Sequence, residues 1–150
     1  MKDYVDVVSM NEDELQDYVD TIDVMNPKQV YMAVRQVYEM LGIPTLLVHS
    51  SRWAITFGQN AQSYRSTLKS GITMAATRFQ YGDYFGDKEF EEVASVKPSK
   101  ENLEFCKEIE KMSPDLCCEP CKDMSYVKDP TVVGLGDFFA GGLLKDLAKL

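Results

Sequence analysis

The stretch Val132-Val133-Gly134-Leu135-Gly136-Asp137-Phe138-Phe139-Ala140-Gly141-Gly142-Leu143-Leu144 reads as a glycine turn that opens a helix. Gly134 and Gly136 permit backbone angles closed to other residues, and Phe138, Phe139, Leu143, Leu144, Leu147 and Leu150 follow at roughly helical spacing. The free N–H groups at the start of such a helix carry partial positive charge and suit a phosphate oxygen. Gly134, Leu135 and Gly136 are therefore the candidate anion hole. Asp137 stands at the same mouth. Its carboxylate either caps the helix, takes a proton from a hydroxyl attacking a phosphoryl group, or binds an accompanying magnesium ion through water.

Composition bounds what this motif can mean. A chain of 150 residues, 45% hydrophobic and 27% charged, is the size and make-up of one soluble globular domain or a large part of one. A net charge of −8 opposes nucleic acid, an anionic membrane surface and long-range attraction of a nucleotide, so any phosphate site must be local. No apolar run approaches the length of a membrane span, and Met1-Lys2-Asp3-Tyr4-Val5-Asp6 lacks the apolar core of a signal peptide. A cytoplasmic protein is expected. Among Cys106, Cys117, Cys118 and Cys121 there is one Cys-x-x-Cys and no second pair, which favours reduced, partly buried thiols over a metal centre.

Taken in order, Tyr4-Val5-Asp6-Val7-Val8 reads as a buried strand whose carboxyl end hands over to a helix at Ser9-Met10-Asn11-Glu12-Asp13-Glu14-Leu15. Ligands of open α/β sheets gather at such ends. Asn11 and Glu14 share a face of a first turn, as an amide and a carboxylate for a hydrated cation or as an ordinary cap with acids complementing the dipole. Asn26-Pro27 opens a second helix with a Val30, Val34, Val37, Tyr38, Leu41 stripe, and Gly42 stops it. Thr45-Leu46-Leu47-Val48-His49 and Trp53-Ala54-Ile55-Thr56-Phe57-Gly58, separated by Ser50-Ser51-Arg52, predict a hairpin added to a larger sheet. His49, at the turn end, binds a base or phosphate or is satisfied by water or backbone. Arg52 supplies local positive charge or is simply solvated.

The segment from Ala61 reads as helical to Lys69, broken at Gly71 and resumed over residues 72–79, with Arg78 inside it seeking a carboxylate. Residues 81–87 read as an aromatic loop and residues 88–97 as charged and exposed. Ser99 caps a helix turning Leu103, Phe105, Cys106, Ile109 and Met112 to the core, and residues 116–119 and 124–127 read as short strands.

Together, Tyr4 to Leu15, Leu47-Val48-His49-Ser50-Ser51-Arg52-Trp53-Ala54, Gly71-Ile72-Thr73-Met74-Ala75-Ala76-Thr77-Arg78 and Val133-Gly134-Leu135-Gly136-Asp137 resemble, in that order, the ADP-dependent glucokinase and phosphofructokinase family of the ribokinase superfamily. The resemblance covers essentially the whole chain but only the C-terminal third of a family member. It implies an α/β, Rossmann-like α/β/α layered sheet, with residues 1–150 as the C-terminal nucleotide-binding portion and no sugar-binding lid. It implies Asp137 as the base that deprotonates the sugar hydroxyl, the turn amides as phosphate holders, and Glu14 placing Mg2+. Asn11 and His49 become nucleotide-binding residues, although the family commonly has His-Thr where this chain has His49-Ser50. The reaction implied is transfer of the β-phosphate of ADP to glucose or fructose 6-phosphate, with AMP as the other product.

The family's His-x-Glu metal motif does not occur in these residues, where the only histidine is His49. The reading therefore expects a fragment, or a chain whose remainder is supplied elsewhere, that does not turn over alone. An ATP-using ribokinase-like kinase, and a non-catalytic module that binds a nucleotide or a partner, are the alternatives.

Overall fold

The computed structural model describes residues 5–147. Two compact units are present: one comprises the residues up to Arg65 with Lys100–Pro120, the other Ser66–Ser99 and the residues from Cys121 on.

The first unit is built on a mixed sheet of order β1-β2-β3-β4, with β1 Val7–Asn11, β2 Thr45–His49, β3 Trp53–Gly58 and β4 Leu116–Pro120. β1 runs parallel to β2, and the other pairs are antiparallel. The β2–β3 hairpin has the predicted ends, but it forms the middle of the sheet rather than an addition to it. β1 lies further along the chain than the apolar run suggested, because Ser9, Met10 and Asn11 pair with Leu47, Val48 and His49. The predicted contribution of Tyr4 lies outside the described residues.

Register puts Val8, Met10, Leu46, Val48, Ile55, Phe57, Leu116 and Cys118 on one face, where they form a single core with the helices α2 Pro27–Leu41 and α5 Lys100–Glu110. Asn26 caps α2 by accepting from the N–H groups of Lys28 and Gln29, and Gly42 ends it in the left-handed conformation at φ 56°. Val30, Val34 and Val37 are fully buried, as their spacing predicts. From α5, Phe105, Cys106 and Ile109 reach the core, whereas Leu103 and Met112 are exposed. Leu103 falls at the edge of a narrow face, and Met112 lies beyond the end of α5 at Glu110. Trp53 is fully buried, stacks on Phe105 at 5.5 Å, and donates Nε1–H to the Val24 carbonyl at 2.8 Å, so the largest core side chain leaves no polar atom unpaired. Arg65 ties β4 to α5 through Glu119 and Glu110, both at 2.6 Å. Burial works against its charge, but the hydrogen bonds it donates to Glu110 and Glu119 prevail and hold the guanidinium protonated. The four cysteines are free thiols, and burial pushes Cys117 up to about 12, which makes it unreactive.

In the second unit α3, Arg65–Tyr81, runs through Gly71 without a break. The glycine serves a crossing instead: a Cβ there would meet the Phe139 ring at 2.9 Å and Leu143 at 3.0 Å. The matching glycine of α6, Leu135–Leu147, is Gly142, whose Cβ would lie 2.8 Å from the Gly71 Cα. Each glycine costs a helix about 1 kcal/mol relative to alanine, a penalty offset here by backbone-to-backbone packing. Residues 88–97, read as merely exposed, hold all but the first residue of α4, Asp87–Ala94, which buries Val93 completely. Residues 124–127 form a turn rather than a strand; the chain before them makes only an isolated bridge, Lys122 to Pro98.

Candidate functional site

The residues singled out by sequence divide between the two units. In the first, Asn11 ends β1 and caps α1, Glu12–Gln16. Its Oδ1 accepts from the Glu14 N–H at 2.8 Å, and Glu14 Oε2 accepts from the Asn11 N–H at 2.8 Å. The Asn-x-x-Glu motif is thus a capping box, a reciprocal pair that satisfies two helix-start donors. Asn11 pairs in register with His49 across the parallel ladder, so both lie at the carboxyl ends of their strands. Burial lowers the His49 pKa below 6.5, and the Glu14 charge opposes that shift only in part. The imidazole is neutral near pH 7 and able to accept a hydrogen bond.

Glu12 is the acid that sequence reasoning passed over. It is half-buried, and burial raises its pKa against the pull of backbone N–H groups, that of Ser51 at the hairpin turn among them. Three acids in a row give no sequence signal separating it from Asp13, which is exposed. Arg52 is an exposed partner of Glu101 at 3.7 Å.

In the second unit the glycine turn takes the predicted form. Gly134 is left-handed at φ 77°, its carbonyl accepts from the Phe138 N–H at 3.1 Å, and α6 starts at Leu135. The cap position therefore carries no side chain, and the N–H groups at Leu135, Gly136 and Asp137 precede the first intrahelical bond. Asp137 is exposed in that first turn. Phe139, Gly142 and Leu143 are buried below it, whereas Leu144 is 67% exposed and does not belong to the apolar face. Leu150 lies outside the described residues. Arg78 finds the carboxylate its position demanded in Asp83, and its guanidinium also lies 4.9 Å over the Phe138 ring.

Among the described residues no group of three or more His, Cys, Asp or Glu side chains is placed to hold a metal. That donor set is compatible with magnesium only in a hydrated form, since Mg2+ keeps several waters and takes one or two carboxylates. Glu14 has one oxygen left outside its capping box for such a role. No helix of the described residues is long and apolar enough to cross a membrane.

No family model and no curated protein sequence matches the chain. Solved structures do. A phosphofructokinase from Pyrococcus horikoshii OT3, crystallised with AMP, is similar at a TM-score of 0.74 and 20% identity, over 100% of this chain and 39% of that one. An ADP-dependent kinase in complex with fructose-6-phosphate and ADPbetaS is similar at a TM-score of 0.72 and 18% identity, over 95% of this chain and 38% of that one. The last common ancestor of ADP-dependent phosphofructokinases from Methanosarcinales gives 0.72 and 18%, over 95% and 36%. The likeness is one of fold: a mixed α/β layered sheet similar to that of ADP-dependent phosphofructokinases. The chain spans about two fifths of the length of the structures it matches.

Proposed function

We propose that this chain is the nucleotide-binding portion of an ADP-dependent sugar kinase, a glucokinase or 6-phosphofructokinase, acting in the cytoplasm. The observation that carries the reading is the exposed Asp137 carboxylate in the first turn of a 13-residue helix reached through left-handed Gly134, within a fold shared with ADP-dependent phosphofructokinases. Asp137 would take the proton of the attacking sugar hydroxyl. The turn amides of Gly134, Leu135 and Gly136 would hold the transferred β-phosphate, those of Leu135 and Gly136 lying ahead of the first intrahelical bond. Asn11 and His49 are the nucleotide-side residues, His49 as a neutral acceptor. Glu14 in the first unit and Asp137 in the second are each proposed as magnesium-side carboxylates, Glu14 through its remaining oxygen to a hydrated ion. Magnesium, when bound, neutralises phosphate charge, which a chain of net charge −8 does not do at long range.

Calorimetry tests this reading. The 150-residue chain should bind ADP weakly and only with magnesium, prefer it to ATP, and form no AMP with glucose or fructose 6-phosphate. No ADP binding in excess magnesium overturns the nucleotide assignment. Sugar-dependent AMP formation overturns the partial-enzyme assignment, because these residues contain no His-x-Glu motif. A second reading, a non-catalytic module, is favoured by one observation: Asn11 and Glu14 spend hydrogen-bonding groups on each other. Nucleotide binding whose magnesium dependence is unchanged by Glu14→Gln would select it.

A further inference from the structure

The guanidinium of Arg78 belongs to none of the roles above, yet it is one of the most constrained cations in the second unit. Its side chain is 12% exposed, and Nε and Nη1 are fully buried without a hydrogen bond. Asp83 lies against Nη1 as an ion pair without hydrogen-bond alignment. Besides that carboxylate, the desolvated charge meets the face of Phe138, at 4.9 Å from the ring centroid. A cation–π contact counts most where the cation has lost its water, so this pairing is stronger than its surface equivalents.

Phe138 is the residue directly after Asp137, and its N–H makes the bond to Gly134 that closes the turn. Its ring meets Arg78 and also Phe85, at 5.9 Å. The chain leading to the glycine turn is held from the same helix end, where the Thr131 N–H donates to the Phe79 carbonyl at 2.9 Å. Gly82, left-handed at φ 68°, turns the chain after α3 so that Asp83 comes back onto Arg78. The end of α3 thus holds both the first turn of α6, at Phe138, and the chain leading to it, at Thr131. A glycine turn without a side-chain cap has little stiffness of its own, so its geometry is set from outside.

We propose that Arg78 is the positioning residue of this helix start: laid over Phe138 and tied to Asp83, it fixes the first turn of α6 that presents Asp137. The functional half of the inference rests on the nucleotide reading above; the geometric half does not. Amide hydrogen exchange on the 150-residue chain, with Arg78→Met and Arg78→Lys, tests the geometry. Arg78→Met keeps the apolar stem and should speed exchange at the Phe138 amide about tenfold, the loss of a buried cation–π contact, while the later amides of α6 keep their protection. Arg78→Lys should recover most of it. Unchanged exchange at Phe138, or an equal rise throughout α6, overturns the proposal. Calorimetry then reads the function: Arg78→Met should weaken magnesium-assisted ADP binding about tenfold and Arg78→Lys should restore it. Should the wild-type chain bind no ADP, the nucleotide reading falls while the exchange result still decides the positioning role.

Discussion

The starts of α1 and α6 answer the same physical problem in opposite ways. Both helices carry acids in the first turn, but α1 follows directly on strand β1 and α6 on the glycine turn. α1 has five residues and little packing beyond Leu15, so it depends on closing its own end, which Asn11 and Glu14 do reciprocally. α6 has 13 residues and is anchored through Phe139, Gly142 and Leu143. It tolerates a bare glycine at the cap position and leaves its first amides unclaimed by a side chain. A helix held by packing can spare its terminus for a ligand; a helix held by its cap cannot.

The sharpest test of that contrast is chemical. In a complete kinase containing this portion, Asp137→Asn should lower turnover by roughly a hundredfold to ten-thousandfold, the usual loss with a general base, while steady-state kinetics show nucleotide affinity little changed. Near wild-type turnover would reduce Asp137 to a dipole-complementing acid like those of α1.

The packing that frees α6 is open to a smaller perturbation. A Cβ at Gly142 would stand 2.7 Å from both the Ser70 carbonyl and Met74, so Gly142→Ala should cost about 1–3 kcal/mol in urea unfolding, as overpacked sites do. Its neighbour is the control: nothing lies within 4 Å of a Cβ at Gly141, and Gly141→Ala should stabilise by up to about 1 kcal/mol through helix propensity.

On the α1 side, Asn11→Ala should cost about 1 kcal/mol of stability, the typical value of a lost cap. Glu14→Gln preserves an acceptor for the Asn11 N–H and should be nearly neutral in the same assay. If Glu14 also carries hydrated magnesium, that variant alone should raise the magnesium needed for half-maximal ADP binding. An unmoved midpoint would leave Glu14 as a capping residue only.

The smallest effect is in pH. Burial depresses the His49 pKa below 6.5, so the unfolded chain binds its proton first as pH falls. Stability from this group is full above about pH 6.5, the unperturbed value, declines as pH drops toward the folded pKa, and is constant below it. Glu12 acts oppositely, because its raised pKa gives stability at low pH that is lost as pH rises through the folded value. Subtracting the pH profile of His49→Asn from that of the wild type isolates the histidine. A flat difference between pH 7 and 5 would show that its burial carries no cost for the charged form.

By itself, the sequence determined the elements whose signals are local. Asn26-Pro27 and Gly42 bound α2 because a cap, a preset φ and a left-handed stop act within one turn. The β2–β3 hairpin and the Gly134 turn followed from equally short-range rules. Motif spacing also marked Asn11, Glu14 and Asp137 as helix-start residues. Tertiary structure decided the rest. Gly71 reads as a helix breaker until α6 is known to cross there, and α4 is hidden because its stripe, Phe90, Val93 and Ala94, spans only eight residues and sits among charges. Residues 124–127 have strand composition but no partner strand among the described residues. Whether a first-turn acid is spent on a capping box or left exposed depends on whether packing elsewhere already holds the helix, and no window of local sequence contains that information.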